Sequence, residues 1–240
     1  VLTCNEFYLE ISNKSKDIVN QSFLGDNYQL LSTNHSFITD LEVWLEALNN
    51  RPEIELYEIA FREYQFSLIQ VSQGFYRQSF NALRFFIEHT LAGIYFSFQE
   101  LDLRLWKLGE KDINWSNIIN EDNGIFSKGF FKAFSPMLIG ESITYSDISK
   151  KIYRECSEYV HGNYVTREKL STKLEFNQNS FEIFNEKAKI ARTLIVFSLC
   201  ARYLDCIDHG MKARLESSIM DHVGNIKGIQ TSFQVQKENV

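Results

Sequence analysis

Arg154 and His161 stand seven residues apart in the stretch YSDISKKIYRECSEYVHGN, residues 145–163. On a helix that spacing is two turns, so the side chains project within roughly 20° of each other and about 10 Å apart along the axis. The arginine is long enough to lean toward the imidazole. A permanent cation and a titratable ring are thereby offered to one small anionic group. A guanidinium fork donates two bonds to a phosphate at once. An imidazole exchanges protons near neutral pH. The combination suits a phosphodiester. Two other pairs have similar spacing, Arg84 with His89 and Arg202 with His209. His89 lies among Phe85, Phe86 and Leu91 and reads as a core histidine. Arg202 and His209 fall at the expected end of the last long helix, where cations suit the helix dipole. Arg154 and His161 are the favoured pair.

Charge around this pair favours an anion. Residues 150–173 hold six cations (Lys150, Lys151, Arg154, Arg167, Lys169, Lys173) and three anions (Glu155, Glu158, Glu168), a local +3 on a chain of net charge −6. Lys150, Lys151, Ser157, Tyr164 and Arg167 are the candidate substrate contacts. Arg84 and Glu88 are candidate supports of the pocket floor. Their plainer reading is an intrahelical ion pair at i, i+4. The plainer reading of the whole cluster is a solvated face of mixed charge.

The pair needs a helix to carry it. Ser146 is the expected N-cap, with Asp147 in the first turn. Ile148, Ile152, Cys156 and Tyr159 form one apolar face. Gly162 and Asn163 supply the stop. Elsewhere the pattern is helical too. Thr39 and Asp40 are expected to cap a helix from Leu41 to Leu48. Pro52 suits the first position of the next helix, which runs to Gly74. A wide apolar face over 75–99 predicts a helix at the centre of a bundle. The connector 101–140 is aromatic and broken by Gly109, Gly124, Gly129 and Pro136, which predicts short helices packed on the core. Its aromatics could instead stack bases. A polar stretch with some extended character, 165–179, precedes the last long helix, 181–208. A weaker helix over 212–222 runs into a polar tail. Residues 1–35 read as short helices or loop, because Asn, Ser and Gly interrupt every apolar run. The chain is expected to be all-α. It divides into a helical N-terminal extension (1–50), a bundle (51–210) with the insertion 101–140, and a C-terminal helix and tail (211–240).

Composition sets limits. The net charge of −6 counts against coating nucleic acid by charge alone. The cysteines, Cys4, Cys156, Cys200 and Cys206, show no zinc spacing. Buried thiols in a reducing cytoplasm are the expectation. No signal peptide is readable, and no apolar run is long enough to span a bilayer. The chain opens on Val1, as a trimmed or excised segment would. P-loop, GxGxxG, HExxH and GxSxG motifs are all missing, so NTPase, dehydrogenase, metalloprotease and hydrolase readings lack support.

The segment YRECSEYVHGN resembles the motif helix of the HEPN superfamily, all-α domains marked by an Arg and a His with four to six residues between them, here six. ALRFFIEHTLAGIYF resembles their earlier core helix, with an Arg and a Glu amid apolar residues. The resemblance covers about 75–205. It implies a HEPN-like helical bundle with catalytic Arg154 and His161 at a homodimer interface. It also implies metal-independent RNA cleavage without a cofactor, in a toxin or antiviral phage-defence system, with an antitoxin or another defence protein as partner. Active members usually carry Asn, Asp or His after the Arg, where this chain has Glu155. A carboxylate there would repel phosphate, and that supports the alternative of a non-catalytic module binding RNA, a nucleotide or a protein.

Overall fold

The computed structural model describes residues 2–161 and 173–237. Among them are eleven α-helices, one 3₁₀ helix and no strand, so the all-α expectation holds. The first four helices are α1 (Cys4–Ser22), α2 (Asp26–Ala47), α3 (Ile54–Ser72) and α4 (Tyr76–Phe96). The connector forms α5 (Glu100–Lys107), α6 (Trp115–Ile118), α7 (Lys128–Phe134) and the 3₁₀ helix Pro136–Glu141. The chain continues through α8 (Ser142–His161), α9 (Gln178–Tyr203), α10 (His209–Val223) and α11 (Lys227–Lys237).

Helices α4 and α9 form the centre. Phe80, Leu83, Phe86, Ile87, Leu91 and Ile94 of α4 have no exposed surface. Each such side chain contributes about 1.5–3 kcal/mol when fully buried. α3 and α4 make an antiparallel hairpin through Gly74, whose φ of +81° closes the turn. The two helices approach closely at Gly93, where an added Cβ would lie 2.6 Å from the Tyr57 ring. That ring is fixed. Tyr57 and Tyr203 share a hydroxyl hydrogen bond of 2.8 Å, and Tyr203 donates to Glu53 Oε1 at 2.7 Å. Glu53 is buried and takes Arg51 Nε at 2.9 Å. This network ties the α2–α3 loop to the end of α9.

α2 and α9 run parallel, and amides set their register. Asn27 and Gln178 exchange hydrogen bonds at 3.1 and 2.9 Å, and Asn34 donates to Asn185 at 2.6 Å. The steps of seven residues match on both helices. These asparagines explain why residues 1–35 are two long helices rather than the expected short pieces. They are polar contacts inside a helix packing, not breaks. At the start of α1, Thr3 and Glu6 form a reciprocal capping box.

Several expected boundaries move. Thr39 and Asp40 lie inside α2, which begins after Gly25. Pro52 sits in the turn before α3, and Glu53 occupies the N-cap. α8 begins at Ser142, so Ser146 is a buried helix residue and not the cap. The tail after residue 226 is helical, because Ile226, Ile229 and Phe233 are buried. The connector packs as short helices, with Phe126, Phe130 and Phe131 buried and Phe98, Phe130 and Phe134 in mutual ring contact. Its aromatics serve as anchors. No described helix is long and apolar enough to cross a membrane.

Candidate functional site

α8 lies on α4 and α9. Ile152, Cys156 and Tyr159 are buried and Ile148 is partly so, which is the expected inner face. Two aromatic stacks lock it. Tyr159 lies 3.8 Å over Phe80 of α4 at 11°, and Tyr145 lies 3.5 Å over Phe197 of α9 at 8°. Such pairs add about 0.5–1.5 kcal/mol beyond their burial. With the inner face fixed, the helical period leaves Lys150, Arg154, Ser157 and His161 along the opposite side.

Arg154 and His161 are both exposed, as their face requires. The Arg154 side chain is 72% exposed, and its Nε is 4.0 Å from Glu158 Oε1. An exposed pair at that distance is weak, so the guanidinium is open to a ligand. Glu155 is different. It points to α9, where Lys187 Nζ meets its Oε2 at 2.8 Å, and both side chains are largely buried. The carboxylate next to the motif arginine is thus turned about 100° around the helix from it and neutralised.

Around the pair, α4 supplies further cations. The Arg84 guanidinium lies 5.0 Å from the Phe85 ring and 5.5 Å from the Tyr153 ring. Its Nε is buried with no hydrogen-bond partner among the described residues. Glu88 accepts from the Tyr153 hydroxyl at 3.3 Å, and no Arg84–Glu88 ion pair forms among the described residues. The intrahelical pairing is therefore replaced by contacts from α4 to α8. Tyr153 also stacks on Trp115 at 3.8 Å and 10°. Arg77, another charged residue on the largely apolar α4, also lies against α8. It is exposed and donates to the Val160 carbonyl, next to His161. Seven residues separate it from Arg84.

The remaining candidates divide. Lys150 pairs with Glu121 at 3.0 Å and lines an open polar pocket of about 520 Å³ with Lys128, Ser146 and Asp147. Lys151 is exposed beside a groove of about 430 Å³ between α8 and α9. Ser157 Oγ donates to the Tyr153 carbonyl at 2.8 Å, so its proton is used within the helix. Gly162, Asn163, Tyr164, Arg167 and Lys169 lie outside the described residues. Of the other pairs, His89 Nδ1 bonds the Phe85 carbonyl at 2.8 Å and is half-buried. Arg202 binds Ser97 at 2.7 Å and covers the Phe134 ring at 4.2 Å. His209 does not share its helix end, since it is the first residue of α10.

Burial raises the Tyr153 and Tyr159 phenols above their ordinary value, and it pushes the Cys156 thiol up to about 12. None of these three yields a proton readily near neutral pH. Among the described residues no cluster of three His, Cys, Asp or Glu side chains could hold a metal ion. No protein-family model, no curated protein and no solved structure matches this chain.

Proposed function

We propose that the chain is a metal-independent endoribonuclease in which Arg154 binds the scissile phosphate and His161 moves protons. The observation that carries this reading is the pair itself. Both side chains are exposed on one face of a helix whose other face is locked by stacked rings. In the proposed reaction, one imidazole removes the ribose 2′-OH proton and the 2′-oxygen attacks phosphorus. The bond to the 5′-oxygen breaks as a second imidazole protonates it. The products carry a 2′,3′-cyclic phosphate and a 5′-hydroxyl. Acid and base are both needed, and α8 offers one exposed histidine, so two copies meet with their α8 helices at a two-fold. Arg77 and Arg84 extend the cationic surface toward the phosphate backbone. The resemblance to HEPN domains suggests a toxin or phage-defence setting.

The test is one labelled RNA incubated with wild type, Arg154→Ala and His161→Ala, with and without EDTA. Wild type should cut in EDTA and leave cyclic phosphate ends. His161→Ala should lose about 10²–10⁴ in rate. Equal cutting by all three proteins, or its loss in EDTA, overturns the assignment. The acidic total charge favours a second reading, a module that binds RNA without cutting it. Binding that depends on Arg154, with no product, would select that reading.

A further inference from the structure

α1 overhangs the body it belongs to. Ile18 and Ser22 are buried, and Ser22 Oγ donates to the Ser72 carbonyl of α3 at 3.0 Å. At 100° per residue, the stripe through these positions continues to Ile11 and Phe7, with Tyr8 on its flank. No residue from 4 to 14 is buried. Phe7 and Tyr8 are 50% and 67% exposed. A helix of that length is marginal in water without packing. The apolar stripe that docks the second half of α1 thus runs off the edge of the body for its first half.

An apolar groove opens at the root of the same helix. It holds about 610 Å³ between α2 and α3, lined by Phe23, Tyr28, Leu31, Ile38, Phe66 and Ile69. Phe23, Tyr28, Phe66 and Ile69 are each about half exposed. An uncovered apolar helix face and an unfilled apolar groove therefore sit side by side on one chain. We propose that the first half of α1 from one copy lies in the α2–α3 groove of a second copy, and reciprocally. An amphipathic helix in an apolar groove is a recurring mode of recognition. Reciprocal exchange uses each patch once and closes on a two-fold.

Size supports a second copy as the occupant. Leu2, Phe7, Tyr8, Phe23, Leu24, Tyr28, Phe66 and Ile69 are the exposed apolar side chains of this region. At on the order of 100 Å² each they offer roughly 800 Å² per chain, matching the about 800 Å² per partner of a stable complex. This surface is separate from the proposed RNA-cleaving face, because α8 packs chiefly on α4 and α9 whereas the groove lies between α2 and α3.

Light scattering on a sizing column tests it, with wild type, Phe7→Asp/Tyr8→Asp and Phe66→Asp at equal micromolar concentration. Each substitution is at an exposed position, and a thermal melt checks that each variant stays folded. Either variant should halve the wild-type mass, down to 28.1 kDa if no other contact holds copies together. Mixing the two variants should restore association through the one intact helix–groove pair. Arg154→Ala should leave the mass unchanged, which separates this contact from an α8 interface. A wild type that is monomeric at 100 µM, or a mass that neither variant alters, overturns the proposal. So does a monomer that sediments with phosphatidylglycerol vesicles through Phe7 and Tyr8, which would make a lipid surface the occupant.

Discussion

Two arginines of this chain are held in opposite ways. Arg154 stands in solvent, so replacing it should change stability by less than about 0.5 kcal/mol. Arg192 is 5% exposed in α9, and its Nε and Nη1 have no hydrogen-bond partner among the described residues. Burial lowers its pKa, while Tyr64 and Asp40 act in the other direction. A buried cation so poorly met is seldom worth keeping for stability. Arg192→Met should therefore leave the thermal midpoint unchanged or raise it, and a marked drop would reveal a partner for the guanidinium. Glu53 is the reverse case. It is buried, accepts from Arg51 and Tyr203, and lies under the Tyr57–Tyr203 pair. Removing it leaves one hydroxyl proton of the Tyr57–Tyr203 pair without its buried acceptor. Glu53→Ala should cost about 1–3 kcal/mol in a urea melt.

At the scale of elements, α3 and α4 depend on their near contact. Gly→Ala in a helix interior normally gains up to about 1 kcal/mol. At Gly93 the new methyl would meet a Tyr57 ring that its bond to Tyr203 holds in place. Gly93→Ala should instead cost about 1–3 kcal/mol, because the hairpin must open to admit it. A stabilised Gly93→Ala protein would show that the ring can move. The helices that were legible in the sequence, α3, α4 and α9, are those with a continuous apolar period. α1 and the first half of α2 were not, because Asn27 and Asn34 look like breaks until their partners on α9 are known, while the end of α2 was expected as a helix from Leu41. The capping box Thr3 to Glu6 was a readable sign of α1 that the polar run after it obscured. The polar face of α8 followed from its period alone. That Glu155 would turn to Lys187 could not be read, since the two residues meet only through tertiary packing.

For the whole molecule, His222 links stability to pH. It lies against Phe37 at 5.3 Å, and burial holds its pKa below the ordinary value, with Arg192 adding to the effect. An unfolded histidine titrates near 6.5. Below that pH the unfolded chain binds a proton that the folded one resists, so stability is full above about 6.5 and falls as the pH drops. The thermal midpoint should decrease from pH 7 to 5.5 in wild type and decrease less in His222→Leu. Parallel curves for the two proteins would remove His222 as the cause.

The parallel pairing of α2 with α9 also sets a schedule for synthesis. Asn27 and Asn34 meet residues 151 positions later in the chain. At about 5–20 residues per second, a ribosome needs on the order of 10–30 s to deliver them. The hairpin of α3 and α4 joins neighbours in sequence and can form at once. For that interval α2 packs on α1 and α3 without α9, α10 or its amide partners. A nascent chain arrested before residue 178 should thus be the form most readily captured by chaperones or cut by proteases, with the cuts in α1 and α2.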